Sequence, residues 1–239
     1  MKNIYNALVI AKKQNQKLLA ILLDPDKIDW DMLQQMIEKI NSSDATHIFI
    51  GGSLVTTTRI GELILQIKRF CKLPVLLFPG NPSQISDKAD GILFLSLISG
   101  RNPDFLIGHH TIAAPVLAKT ALEIIPTGYI LIESGSETAV ETISKTVPLS
   151  ISDIDKIVHT AQAGAMLGNK LIYLEAGSGA KNAVPSEIIR KVSENISVPL
   201  IVGGGIRNRQ GISDAFDHGA DLVVIGTAFE NNPDFFETA

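Results

Sequence analysis

Eight short apolar runs that alternate with stretches of helical periodicity, and glycine, acidic and hydroxyl residues placed just after those runs, predict an α/β protein built as one (β/α)8 barrel. The runs are apolar throughout rather than alternating, as parallel strands buried on both faces are. Their spacing is longer than a hairpin connection, and no linker divides the 239 residues. One domain over residues 1–239 is expected, with a doubly wound open sheet as the alternative architecture.

The elements follow in order. Residues up to 17 read as a helix with Ile4, Leu8 and Ala11 on one side. The first strand, 18–23, is stopped by Asp24-Pro25-Asp26, and Asp26 is expected to cap the next helix. That helix covers 30–40, where Leu33, Met36, Ile37 and Ile40 recur at helical spacing. Strand two is 47–50, ending in Gly51-Gly52-Ser53, and 57–70 is helical with Ile60, Leu63, Ile64 and Ile67 on its buried face. Strand three, 74–78, is closed by Pro79-Gly80; a short helix is expected at 84–89 and strand four at 91–95, leading to Ser96. A helix of modified form is expected across 103–122, where His109-His110 and Pro115 interrupt the pattern. Strand five is 128–132, ending in Glu133, and 137–150 shows no clear period. Helix 153–167, strand 171–174, helix 185–195, strand 199–202, helix 212–218 and strand 222–225 complete the alternation.

Hydrophobic residues make up 45% of the chain and charged residues 19%, an ordinary globular balance, and no apolar run is long enough to span a bilayer. Residues 1–6 resemble neither a signal nor a transit peptide, so a cytoplasmic location is expected. The single cysteine, Cys71, rules out an intramolecular disulfide and a cysteine-cluster metal site. A net charge of −4 without any basic block argues against nucleic acid as a partner. An anionic substrate therefore has to be attracted by local dipoles and a metal rather than by the overall field.

The chemistry-bearing residues gather at the C-terminal ends of the strands, the active-site face of this fold. Gly203-Gly204-Gly205 and Gly226-Thr227 follow strands seven and eight, where such barrels build a phosphate cup, and Gly177-Ser178-Gly179 precedes them. Isomerases, lyases and flavin enzymes share that cup, so it specifies a phosphate and not a reaction. Glu175 ends strand six beside the cup, as a general base has to, or else pairs with a nearby basic residue. Tyr173 lies two residues earlier on the same strand face, to bind a substrate hydroxyl or to fill the core. Asp24, with Ser53 from the neighbouring loop, makes a sparse site for a hard cation such as Mg²⁺, although Asp-Pro-Asp is also a common turn. No histidine is expected to be catalytic, and no lysine sits at a strand end to form a Schiff base. His47 and Lys170 belong to the opposite rim, whereas Arg101 and Arg207 lie in loops where they either contact an anion or stay solvated.

With Leu-Leu-Asp-Pro-Asp-Lys at 22–27, Ile-Gly-Gly-Ser at 50–53, Leu-Phe-Pro-Gly at 77–80, Tyr-Leu-Glu-Ala-Gly-Ser-Gly-Ala at 173–180, Gly-Gly-Gly-Ile-Arg at 203–207 and Gly-Thr at 226–227, the chain resembles the geranylgeranylglyceryl phosphate synthase family nearly end to end. The resemblance implies a modified (β/α)8 barrel that alkylates the C3 hydroxyl of sn-glycerol 1-phosphate with geranylgeranyl diphosphate, releasing pyrophosphate, in ether-lipid precursor synthesis. It implies Mg²⁺ at Asp24 and Ser53, and glycerol phosphate among Tyr173, Leu174, Glu175, Ala176, Gly177, Ser178, Gly179, Gly204, Gly205, Gly226 and Thr227. In that reading Glu175 and Tyr173 are the catalytic pair, and Phe78, Phe94 and Leu97 begin an apolar groove. Ser-Gly-Arg-Asn-Pro at 99–103 looks like the family's longer branch, and Leu22 stands where some shorter members carry lysine. A homo-oligomer with transient membrane contact through its lipid product is expected. Three other readings stay open: the same reaction with another prenyl length, a sugar-phosphate isomerase or flavin enzyme using the same cup, and a catalytically silent phosphate-binding subunit.

Overall fold

Eight strands pair in parallel and in sequence order, and the last returns to the first, so the ring is closed and the open-sheet alternative falls. They are β1 (Leu18–Leu23), β2 (His47–Gly52), β3 (Val75–Pro79), β4 (Gly91–Leu97), β5 (Glu123–Leu131), β6 (Leu171–Glu175), β7 (Leu200–Gly203) and β8 (Leu222–Ile225). The structure, a computed structural model, describes residues 3–236. Around the ring lie α1 (Ile4–Lys13), α2 (Leu33–Ser42), α3 (Ile60–Phe70), α4 (His109–Leu117), α5 (Ala139–Ser144), α6 (Ile154–Met166), α7 (Ser186–Asn195), α8 (Arg209–Asp217) and α9 (Thr227–Asn231).

Successive residues of a strand point to opposite faces, and this divides the apolar side chains into two shells. Leu18, Ala20, Phe49, Leu76, Leu93, Leu171, Tyr173, Ile201, Leu222 and Val224 fill the inside of the ring. Their chain neighbours Ile21, Ile48, Leu77, Ile92, Ile172, Val202 and Val223 face outward into the helix layer. Helix α1 closes the bottom: Ile4, Leu8 and Ala11 belong to the inner shell. Its first turn is tied to β5, because the Glu123 carboxylate accepts the N–H groups of Ile4 and Tyr5. His47 and Lys170 lie at this end, as expected. His47 is buried, which pushes its pKa down to about 4, and the Lys170 ammonium stands 5.0 Å from the Tyr5 ring centroid.

Three expectations change, and one stretch without a clear period gains an element. No helix forms over 84–89: a short 3-10 turn, Pro82–Gln84, is followed by irregular chain up to β4. Polar turn chemistry overrides helical spacing there, with Asn81 Oδ1 accepting the Ser83 N–H, and buried Gln84 accepting from Gly80 and donating to the Gly52 carbonyl. The helix expected across 103–122 opens as a π-helical turn, Asp104–Gly108, and α4 ends at Leu117. Strand β5 then starts at Glu123 rather than 128, despite Pro126. The Pro126 carbonyl faces β6, whose first paired residue is Leu171, so the missing N–H removes no ladder bond. Within 137–150, helix α5 starts from a capping box in which Thr138 and Glu141 satisfy each other.

Removing the carboxylate that caps α1 should loosen the barrel floor. For Glu123→Ala we expect a loss of about 1–2 kcal/mol in urea unfolding, the usual worth of a lost N-terminal cap; an unchanged midpoint would mean that α1 docks without it.

Candidate functional site

The inward-facing residues of β6 are Leu171, Tyr173 and Glu175, so the strand period carries one carboxylate and one phenol to the mouth of the ring. They form the floor of a cavity of about 460 Å³ at the C-terminal face. Asp24, Ser53, Tyr173, Glu175, Gly177, Ser178, Gly179, Gly204, Gly205, Gly226 and Thr227 all line it, so one space brings these expected site residues together. Leu174 and Ala176 do not line it: their side chains pack into the outer shell, and the Ala176 N–H donates to the Gly203 carbonyl.

Glu175 is buried, and loss of water pushes its pKa up to about 7 against the opposing pull of the Gly177 N–H, which reaches Oε1 at 2.7 Å. The Tyr173 phenol lies close enough to help hold the carboxylate ionised, yet it is not aligned into a formed hydrogen bond and is left without a partner. Such an orphan costs about 1–3 kcal/mol, which a ligand hydroxyl in the cavity can recover. Burial first, and then the charge of Glu175, raise the pKa of Tyr173 and of its β5 neighbour Tyr129 well above the usual phenol value, so both stay protonated. Phe78, Tyr129 and Tyr173 pack ring to ring at centroid distances of 5.3–6.1 Å.

The glycines of β7 are explained by this carboxylate as much as by any phosphate. A Cβ on Gly203 would sit 2.4 Å from the Tyr173 hydroxyl and 3.0 Å from Glu175 Oε2. Gly204 has φ +79°, and a Cβ there would come within 2.2 Å of Glu175 Oε1. Only backbone fits against the acid at these two positions.

Asp24 stands on the other side of the ring, in the turn after β1. Its Oδ1 accepts the Asp26 N–H at 3.1 Å, while Oδ2 lies 3.5 Å from where a Cβ on Gly52 would be. Asp26 does not cap α2. It accepts the N–H groups of Thr56 and Thr57 and the Thr56 hydroxyl, bonds led by the Thr56 N–H that lower its pKa, and so ties the Asp24 turn to the Ser53 loop. Lys27 and Glu230 also line the cavity and were not singled out from the sequence. Lys27 follows Asp-Pro-Asp in the turn after β1 and Glu230 belongs to the last helix, and no local pattern marks either as a site residue. Ser96 is not at the mouth: it lies within β4 and its Oγ pairs with Nε2 of His110 at 3.1 Å, while the His110 ring packs edge-on to Phe94. The Arg101 guanidinium is bonded to the carbonyls of Ile98 and Gly100, away from the cavity, whereas Arg207 lines it.

An apolar groove leaves the cavity sideways. Phe78, Phe94 and Leu97 line it, with Ile85 from the β3–β4 loop, Phe105 and Ala113 beside α4, and Ile143 from α5. Ser53, Phe78, Tyr129 and Val140 border both spaces.

A family model described as the PcrB family matches residues 11–239. The chain is 61% identical over 238 residues to the geranylgeranylglyceryl phosphate synthase of Flavobacterium johnsoniae, covering 100% of this chain and 98% of that protein. It is 38% identical over 223 residues to the geranylgeranylglyceryl phosphate synthase of Korarchaeum cryptofilum, covering 93% of this chain and 91% of that one. Among solved structures, (S)-3-O-geranylgeranylglyceryl phosphate synthase from Thermoplasma acidophilum, in complex with its substrate sn-glycerol-1-phosphate, superposes with a TM-score of 0.92 at 30% identity. That match covers 99% of this chain and 95% of the other.

A carboxyl whose folded pKa lies above its unfolded value keeps a proton that the unfolded chain has already released. Folding stability should therefore fall as pH rises from the ordinary glutamate value of 4.5 through about 7. Glu175→Gln should flatten that slope when denaturant midpoints are compared across pH; identical slopes in the two proteins would show that Glu175 titrates normally.

Proposed function

The chain belongs to the PcrB family, and from that membership we propose that it is a prenyltransferase joining the C3 hydroxyl of sn-glycerol 1-phosphate to geranylgeranyl diphosphate, with release of pyrophosphate, to make an ether-lipid precursor. The observation that carries the reading is the meeting of a cavity that holds the charged and hydroxyl groups, floored by a buried acid and an orphaned phenol, with an apolar groove at Phe78 and Tyr129. One substrate is small and polar and the other is a long hydrocarbon with a charged head. The two spaces match them in character.

In this reading Glu175 takes the C3 hydroxyl proton while the hydroxyl oxygen forms its bond to the allylic carbon. The bond from that carbon to the diphosphate oxygen breaks, and its electron pair leaves with pyrophosphate. A base with a pKa of about 7 suits this work near neutral pH. Tyr173 offers its free phenol to a glycerol oxygen, and the backbone of the 177–179, 204–205 and 226–227 segments surrounds the phosphate, holding the hydroxyl in line. Arg207 braces that rim, since its guanidinium donates to the carbonyls of Ala180 and Lys181.

The residues around Asp24 suit Mg²⁺ in a sparse way. The described residues contain no group of three His, Cys, Asp or Glu side chains placed for a metal. Asp24 nevertheless lines the cavity with Ser53, its Oδ2 3.5 Å from where a Cβ on bare Gly52 would be and 3.4 Å from the Lys27 ammonium, and a hard cation held by one carboxylate takes its other oxygens from water and substrate phosphates. When bound there it would supply charge stabilisation for the departing diphosphate. No helix among the described residues is long and apolar enough to cross a membrane.

Purified protein incubated with labelled sn-glycerol 1-phosphate, Mg²⁺ and prenyl diphosphates of graded length should give a labelled ether, best with the geranylgeranyl donor; no product with any donor would defeat the assignment. Glu175→Gln should lower turnover by about 10²–10⁴ while calorimetric binding of sn-glycerol 1-phosphate stays within a few-fold. Near-normal turnover would remove Glu175 as the base. For Asp24→Asn, the Mg²⁺ concentration giving half activity should rise by about tenfold or more, in keeping with the loss of a charged ligand; an unchanged titration would move the metal elsewhere.

A further inference from the structure

In the prenyl-transfer reading a departing diphosphate gathers negative charge, and on the Asp24 side of the mouth two carboxylates, Asp24 and Glu230, already stand. Among the described residues, the basic side chains lining the cavity are Lys27 and Arg207. Arg207 belongs to the loop after β7 and gives two of its five N–H donors to carbonyls, at 2.7 Å to Ala180 and 3.1 Å to Lys181. Lys27 lies beside Asp24. Its Nζ is 2.9 Å from Glu230 Oε2 and 3.4 Å from Asp24 Oδ2. The other oxygen of Glu230 accepts the Asp24 N–H at 3.0 Å, so a single carboxylate from α9 holds both the turn and the ammonium. The Lys27 side chain is 50% exposed, against 20% for Asp24 and 13% for Glu230, which leaves the cation the accessible member of the cluster.

We propose that Lys27 is a further catalytic residue, an ammonium that binds the diphosphate of the prenyl donor beside Asp24, and that Glu230 is the residue that positions it. The proposal rests on the prenyl-transfer reading and adds a charge-bearing contact to it. A lysine ammonium has three donors on a flexible stem, so it can keep one on Glu230 and turn the others to phosphate oxygens. A lysine carries its proton at neutral pH, and the Glu230 carboxylate 2.9 Å away favours that charge. Glu230 takes the closer share of the ammonium, so Asp24 Oδ2, the oxygen beside Gly52, keeps the looser contact. Without Lys27 this wall of the mouth would present two uncompensated carboxylates to an incoming polyanion.

The test is calorimetric titration of the full chain with inorganic pyrophosphate in the presence of Mg²⁺, and separately with sn-glycerol 1-phosphate. Lys27→Met should weaken pyrophosphate binding about tenfold or more, the loss expected for a hydrogen bond to a charged group, and leave glycerol phosphate binding within about twofold. Lys27→Arg, which keeps the charge, should recover pyrophosphate binding to within about threefold of wild type. Glu230→Gln retains an acceptor for the Asp24 N–H but releases the ammonium onto Asp24. We expect its half-activating Mg²⁺ concentration to rise about threefold or more, with an unchanged KM for glycerol phosphate. Pyrophosphate binding as tight in Lys27→Met as in wild type overturns the role of Lys27, as does an equal loss of both ligands. An unchanged Mg²⁺ titration in Glu230→Gln overturns the positioning role. Wild-type protein that binds glycerol phosphate but neither binds pyrophosphate nor turns over a prenyl donor overturns the prenyl-transfer reading and this proposal with it.

Discussion

The burial of one carboxylate, Glu175, at the inner face of a closed parallel ring is the constraint on which the site depends. An isolated acid in such a place is costly unless it is hydrogen-bonded or keeps its proton. Here a single short bond from the Gly177 N–H offsets part of that cost, and the remainder appears as a pKa pushed up to about 7. The neighbouring backbone has to come close for the acid to stay dry, which explains Gly203 and Gly204, where any side chain would strike the carboxylate or the Tyr173 phenol. The glycine-rich segment after β7 therefore serves two purposes: it walls the base, and it presents bare backbone to the cavity.

A second constraint comes from what the ring lacks. Between β3 and β4 the chain has only a 3-10 turn and loop, so the outer shell is thin there. The apolar groove occupies that side, bounded by Ile85 of the loop, the upper part of β4, the π-helical turn with α4, and α5. Had a helix formed over 84–89, its packed face would have covered the space. The polar contacts of Asn81 and Gln84 that stop a helix forming are thus linked to the presence of an apolar channel beside a polar mouth.

Asp24 and Glu175 face each other across the ring, and neither is held by its own strand alone. Asp26 anchors the Asp24 turn to Thr56 and Thr57, and Glu230 anchors it to the last helix. Two other chain segments thus converge on one turn. The rim is therefore a fastened structure on the β1 side, and Lys27 is oriented by the same carboxylate that fixes the backbone of Asp24.

Much of this was legible in local pattern. The eight strands and their order, the inner face shared by Tyr173 and Glu175, and the convergence of Asp24, Ser53 and the glycine segments at one rim follow from a period of two, from strand length and from the directionality of a parallel barrel, whereas the groove at Phe78, Phe94 and Leu97 was expected only from the family resemblance. Those are short-range rules that a single chain displays openly. The helix expected at 84–89, the late start assigned to β5 and the capping role given to Asp26 failed for a common reason: each was decided by partners outside its own window. Gly52 takes Gln84, β4 pairs with β5 from Glu123, and Thr56 takes Asp26. The elevated pKa of Glu175 and the hold of Glu230 on a turn 206 positions away belong to the same class. By itself the sequence determined which residues reach the mouth of the ring. Only the tertiary structure decided how dry they are and what holds them, because desolvation and long-range hydrogen bonds exist only after the ring has closed.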